Sequence, residues 1–138
     1  MKSMKKYILL GILSLIIVGG GIGYYMFNKK VPTLENTTSD YVIGANDLFN
    51  EFENNESEAL KKYENKIIEV TGKVISVKNN DNDSNIILEA DMAMAGGVNC
   101  SFKYKQDEEI TKGSIVTIKG QCQGFLMDVV LNNSQLIK

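Results

Sequence analysis

The chain has 138 residues, with 15 lysines, 17 acidic residues and no arginine, histidine or tryptophan. Without histidine it lacks the commonest general base and metal ligand, and without arginine it cannot make bidentate contacts to phosphate or guanine. This length allows one domain with appendages.

The first appendage runs from Met1 to Lys30. Lys2, Lys5 and Lys6 precede an uncharged stretch, Tyr7 to Phe27, and Asn28-Lys29-Lys30 closes it. About 20 apolar residues cross a bilayer core as a helix, so residues 7–27 read as an uncleaved membrane anchor. A cleaved signal peptide competes with that reading, but no Ala-x-Ala-like site follows the stretch. No cysteine lies near it, which removes a lipoprotein anchor. The lysine margin places the N-terminus in the cytoplasm and the remainder outside, and Tyr7, Tyr24, Tyr25 and Phe27 sit where aromatic rings prefer the headgroup level. Gly19 and Gly23 have the spacing of a helix-packing motif, which is weak alone. Beyond residue 30 there are ten lysines against all 17 acidic residues, a net charge of −7. Nucleic-acid modules usually present a basic face, so this balance speaks against one.

Residues 31–44 read as a linker, polar from Val31 to Asp40 with the chain's one proline. From 45 the chain reads as a folded domain to 138. Leu48, Phe49 and Phe52 lie on one side of a helix opening at Asn46-Asp47. After Asn54-Asn55, a second helical pattern carries Ala59, Leu60 and Tyr63, with Glu58 and Lys62 as a favourable i,i+4 pair. Strand patterns follow. Ile67 to Val77 is long for one strand, and its apolar phase changes near Gly72, as at a bulge. Asn79 to Asn85 reads as a turn, and 85–90 as a second strand. Asp91 to Gly97 is a loop with methionines and glycines. Val98, Cys100, Phe102 and Tyr104 alternate with polar residues, as in a third strand with one buried face. Ser114 to Cys122, a short loop 123–127 and Asp128 to Ile137 complete five strands. Two helices and five strands suit a small barrel of the OB or SH3 type, or an open sandwich.

A set of residues narrows the choice: Asp47-Leu48-Phe49 with Phe52, Lys62-Tyr63, Glu69-Val70-Thr71-Gly72 and Gly97-Val98-Asn99-Cys100. Further on come Lys112-Gly113, Val116-Thr117-Ile118-Lys119-Gly120, Cys122 with Gly124, and Met127-Asp128-Val129-Val130-Leu131. In this order they resemble the tRNA_anti-like family of small anchored or exported bacterial proteins, over about Ala45 to Lys138. The resemblance implies a mainly β fold: a five-stranded OB barrel, here preceded by two short helices and an N-terminal transmembrane helix. The family name records a remote likeness to anticodon-binding barrels. A serine, Ser134, stands where such sequences often carry another cysteine.

No catalytic set emerges, and the carboxylates read as a solvated surface. Asp81, Asp83 and Asn85 imitate the first ligands of a calcium loop, but Ile86 and Met92 stand where it needs Gly and Glu. No metal and no cofactor is expected. Cys100 and Cys122 both fall on inward phases, as a disulfide or as two separate buried thiols. OB barrels bind through the face of strands two and three and the adjoining loops. Here those loops carry Met92 and Met94 before the third strand, and Phe125, Leu126 and Met127 after the fourth. These five are either an adaptable apolar docking patch or plugs of the barrel ends. The sequence thus points to a non-catalytic, membrane-anchored binding module of the cell envelope with a protein or peptide partner. The alternative is a single-stranded nucleic-acid domain. Its cluster would be Lys103 and Lys105 with Phe102 and Tyr104, whose rings are expected to point inward.

Overall fold

Tyr7 to Phe27 lies within one helix, α1 (Lys2–Asn28), in a computed structural model that describes residues 2–28, 34–90, 96–106 and 110–137. The chain divides into two compact units, Met1–Pro32 and Thr33–Lys138. In the first, Ser3–Asn28 has mean hydropathy 2.0 and is unburied. At 1.5 Å per residue such a helix is long enough to cross a hydrocarbon core of roughly 30 Å.

The second unit begins before the expected boundary. Residues 34–44, read from sequence as linker, are packed against the barrel. Leu34–Asn36 forms a 3-10 turn with Leu34 buried, and Tyr41–Gly44 forms a strand, β1. It pairs in parallel with the start of β2 (Ile67–Asn79), Tyr41 opposite Ile68. The remaining elements are α2 (Ala45–Asn54), α3 (Glu56–Tyr63), β3 (Ser84–Glu89), β4 (Gly97–Phe102), β5 (Ile115–Leu126) and β6 (Asp128–Ile137).

The two helices break at Asn55, whose side chain accepts the Glu58 amide at 3.3 Å and so caps α3. Leu48, Phe49 and Phe52 recur at helical spacing and are all buried. They form one core with Ala59 and Tyr63 from α3 and the inward residues of the sheet. The expected Glu58–Lys62 pair is replaced by two others: Lys61 meets Glu58 at 3.0 Å, and Lys62 reaches across to Glu51 at 2.8 Å. Lys62 also lies 4.7 Å above the Tyr63 ring. The hydrogen bond to Glu51 holds its ammonium above the usual lysine range.

Besides β1, β2 serves two neighbours within the barrel. Its first half, Ile67–Lys73, pairs with β5, and Val74–Asn79 pairs with β3, with a bulge between Val74 and Ser76. The phase change foreseen near Gly72 therefore falls two residues later. Ile68, Val70 and Val74 face the core, and after the bulge Val77 does. Gly72 keeps the inward phase without a side chain because a Cβ there would lie 2.7 Å from that of Ala45. The sheet order β1-β2-β3-β4-β6-β5 is closed by β2–β5, with β4 and β6 parallel. Five strands closed in this way are the OB barrel, and β1 is an extra strand beside it.

Two strand ends differ from the sequence reading. β5 runs through Leu126, so the expected 123–127 loop shrinks to a sharp hairpin at Met127. β4 stops at Phe102, and Tyr104 is 66% exposed instead of inward. Gln106 fixes this turn: its backbone N–H donates to Ser84 Oγ at 3.0 Å, and its side-chain Nε2 donates to the Tyr104 carbonyl at 3.1 Å.

Candidate functional site

The β5–β6 tip follows from its local chemistry. Leu126 and Asp128 pair directly, and Met127 between them adopts φ 68°, a left-handed conformation uncommon for a side chain of its size. The base of the tip is held on both sides. Phe125 lies against Phe52 at 5.7 Å, nearly parallel, and edge-on to Phe49 at 5.6 Å. Asp128 Oδ1 accepts the Gly97 amide at 2.7 Å, which ties the start of β4 to the hairpin. Above this base Leu126 is 83% exposed and Met127 77% exposed.

Of the five residues expected as a patch, the geometry therefore brings two together in solvent, Leu126 and Met127. Phe125 is half-buried and packs on α2, so it is a plug of that barrel end. Met92 and Met94 lie outside the described residues.

A second exposed feature lies beyond the other end of β4. Lys103 Nζ sits 5.4 Å from the Tyr104 ring centroid, and Lys105 is exposed beside it. On the adjoining outer face Asn85 Nδ2 donates to Ser101 Oγ at 3.3 Å. Period-two alternation carried Tyr104 inward on paper. The signal that could have exposed it is the run Lys103-Tyr104-Lys105-Gln106, which has no apolar residue after the tyrosine to continue a strand.

Cys100 and Cys122 are both fully buried and free. Each is in register with Leu131, Cys100 from β4 and Cys122 from β5. The strand of Leu131 thus runs between them. Two strand spacings of about 4.8 Å separate their backbones by roughly 9–10 Å, beyond the ~7 Å limit for a bridge. Burial pushes both thiols well above the usual cysteine range, and for Cys122 a Gly124 backbone hydrogen bond opposes part of that shift. Among the described residues no group of three acidic, cysteine or histidine side chains could hold a metal.

The tRNA_anti-like family model matches residues 1–136. The chain belongs to the tRNA_anti-like family. A solved structure similar to this tRNA_anti-like chain is that of a "putative nucleic acid-binding lipoprotein" from Klebsiella pneumoniae subsp. pneumoniae MGH 78578. The two are 15% identical with a TM-score of 0.54, over 70% of this chain and 91% of that one. At that identity the likeness speaks to the fold. No curated protein matches the chain.

Proposed function

We propose that this tRNA_anti-like protein is a non-catalytic binding module, held to the membrane by α1 with its N-terminus in the cytoplasm and its barrel on the outer side. Its partner is a protein or peptide, and the contact is the β5–β6 tip. The observation that carries this reading is the side-by-side exposure of Leu126 and Met127 on a base locked by Phe125 and Asp128. A rigid pair of apolar side chains loses little conformational freedom on docking, and methionine adapts to varied surfaces. The net charge of −7 beyond residue 30 supports a partner other than a polyanion.

One observation favours a second reading, a single-stranded nucleic acid. Tyr104 is exposed with Lys103 over its ring, the pairing of stacking surface and cation that such ligands use. The Klebsiella protein's description also names nucleic acid.

The first reading is tested in native cells and the second on the full chain in detergent. A photo-crosslinking residue introduced next to the tip, at Gln123, should capture protein adducts in native cells. Leu126→Ser with Met127→Ser should abolish those adducts while stability changes by no more than about 0.5 kcal/mol, as expected of exposed sites. Adducts that persist in the double variant would defeat the tip as the contact. Tight binding of an unstructured oligonucleotide, weakened roughly 5- to 150-fold by Tyr104→Ala, corresponds to about 1–3 kcal/mol of stacking and would establish the second reading.

A further inference from the structure

Lys119 occupies the outward phase of β5, next to Ile118, which faces the core, yet it is only 9% exposed. An outward lysine on a barrel strand is ordinarily hydrated. Here the segment 34–40 covers it, and Lys119 Nζ donates to the Thr37 carbonyl at 3.0 Å. The register partner of Lys119 on β6 is Gln135, whose Oε1 is buried with no hydrogen-bond partner among the described residues. Its partner on β2 is Glu69, which accepts a hydrogen bond from Ser39 Oγ at 3.3 Å. The segment therefore lies over a polar row of the barrel's outer face. It is fastened by Leu34, buried, and by Asp40, which exchanges two hydrogen bonds with Ile67 at 2.7 and 2.9 Å. From Tyr41 onward the chain is part of the sheet, with the Tyr41 ring edge-on to Tyr63 at 4.9 Å.

We propose that residues 34–40 form a releasable strap that leaves the outer face while β1 and the barrel stay folded, uncovering Lys119 and Gln135. The balance of terms favours local opening. A buried ammonium facing a neutral carbonyl, and an amide oxygen with no donor, both regain water when the strap lifts. The closing interactions are the burial of Leu34 and the Asp40–Ile67 and Ser39–Glu69 hydrogen bonds, whose groups meet water when the strap lifts. None of the pairings β2–β5, β5–β6 or β4–β6 depends on the strap, so its release is a sub-global event of the kind that costs less than unfolding. In sequence the strap is the part of this unit next to the membrane helix. Seven freed residues span at most about 23–25 Å when fully extended, an upper limit on what release adds to the reach between anchor and barrel. The device is thus an extensible tether.

Pulsed amine acetylation and thiol alkylation of the full chain in detergent micelles, read residue by residue by mass spectrometry, test it. Rates are expressed as protection relative to the denatured chain. Lys119 should be protected at least tenfold less than Cys100, whose labelling reports global unfolding. Leu34→Ala should lower the protection of Lys119 several-fold, because Leu34 is exposed once the strap lifts. Ile86→Val, at a site buried with the strap open or closed, should lower that of Cys100 and leave that of Lys119 unchanged. Equal protection of the two residues in the wild-type chain would overturn the proposal. So would a Leu34→Ala variant that leaves Lys119 unchanged, or an Ile86→Val variant that lowers the protection of both residues alike.

Discussion

Gly97→Ala should destabilise the domain severely. A Cβ at Gly97 would collide with the Leu88 carbonyl oxygen, which is backbone and belongs to the neighbouring strand. Neither atom has a rotamer to change, so the β3–β4 pair has to part or shift. That places the substitution at or beyond the upper end of overpacking costs, about 3 kcal/mol or more, against a total stability of order 5–15 kcal/mol. The damage also reaches the tip, because the Gly97 amide is the donor that Asp128 accepts. Urea unfolding followed by circular dichroism measures the loss. Gly44→Ala is the matched control: a Cβ there meets only ordinary contact, 3.6 Å from Asp47 Oδ2, and should change the midpoint little. A Gly97→Ala midpoint within error of that control would show that the strands are not held this closely.

Phe52→Ala is expected to cost about 3–5 kcal/mol, the usual range for a buried phenylalanine. Phe52 is 1% exposed and lies between two other rings, Phe125 at 5.7 Å and Tyr63 at 5.9 Å. Its removal leaves a cavity between α2, α3 and the base of the β5–β6 hairpin. Calorimetry should show a clear fall in Tm, by more than 10 °C at the 4–8 °C per kcal/mol typical of a domain this size. Phe125→Ser should also destabilise, by less, because Phe125 is half-buried. Leu126→Ser should not. This graded series along three ring and tip positions separates core from docking surface. If Leu126→Ser proved as costly as Phe52→Ala, the tip would be part of the core.

Much of the barrel was legible because its strands carry local signals. Val98, Cys100 and Phe102 alternate cleanly and are all buried. The two helices were readable from Leu48, Phe49, Phe52 and Tyr63 and from the asparagines that separate them. What stayed hidden depends on contacts far apart in sequence. Tyr41-Val42-Ile43 is too short to announce a strand, and becomes one only because β2 offers a free half-edge. Lys119 reads as a surface residue until a segment about 80 positions earlier crosses it. Tyr104 fits the alternation of β4, but the turn held by Gln106 ends the strand first. The exposed hairpin tip was half legible. Composition marked the loop from Phe125 to Met127 as apolar, yet only the stacking of Phe125 on Phe52 assigns it to the core and leaves Leu126 and Met127 outside.

The strand that separates Cys100 from Cys122 has a bearing on how the domain matures. With Leu131 between them, the thiols cannot be oxidised to each other without breaking the barrel, and their burial keeps both away from other thiols. The native fold therefore asks nothing of an oxidase or isomerase. Refolding with and without a reductant is thus expected to give the same native domain with two free thiols, which thiol titration in denaturant would check.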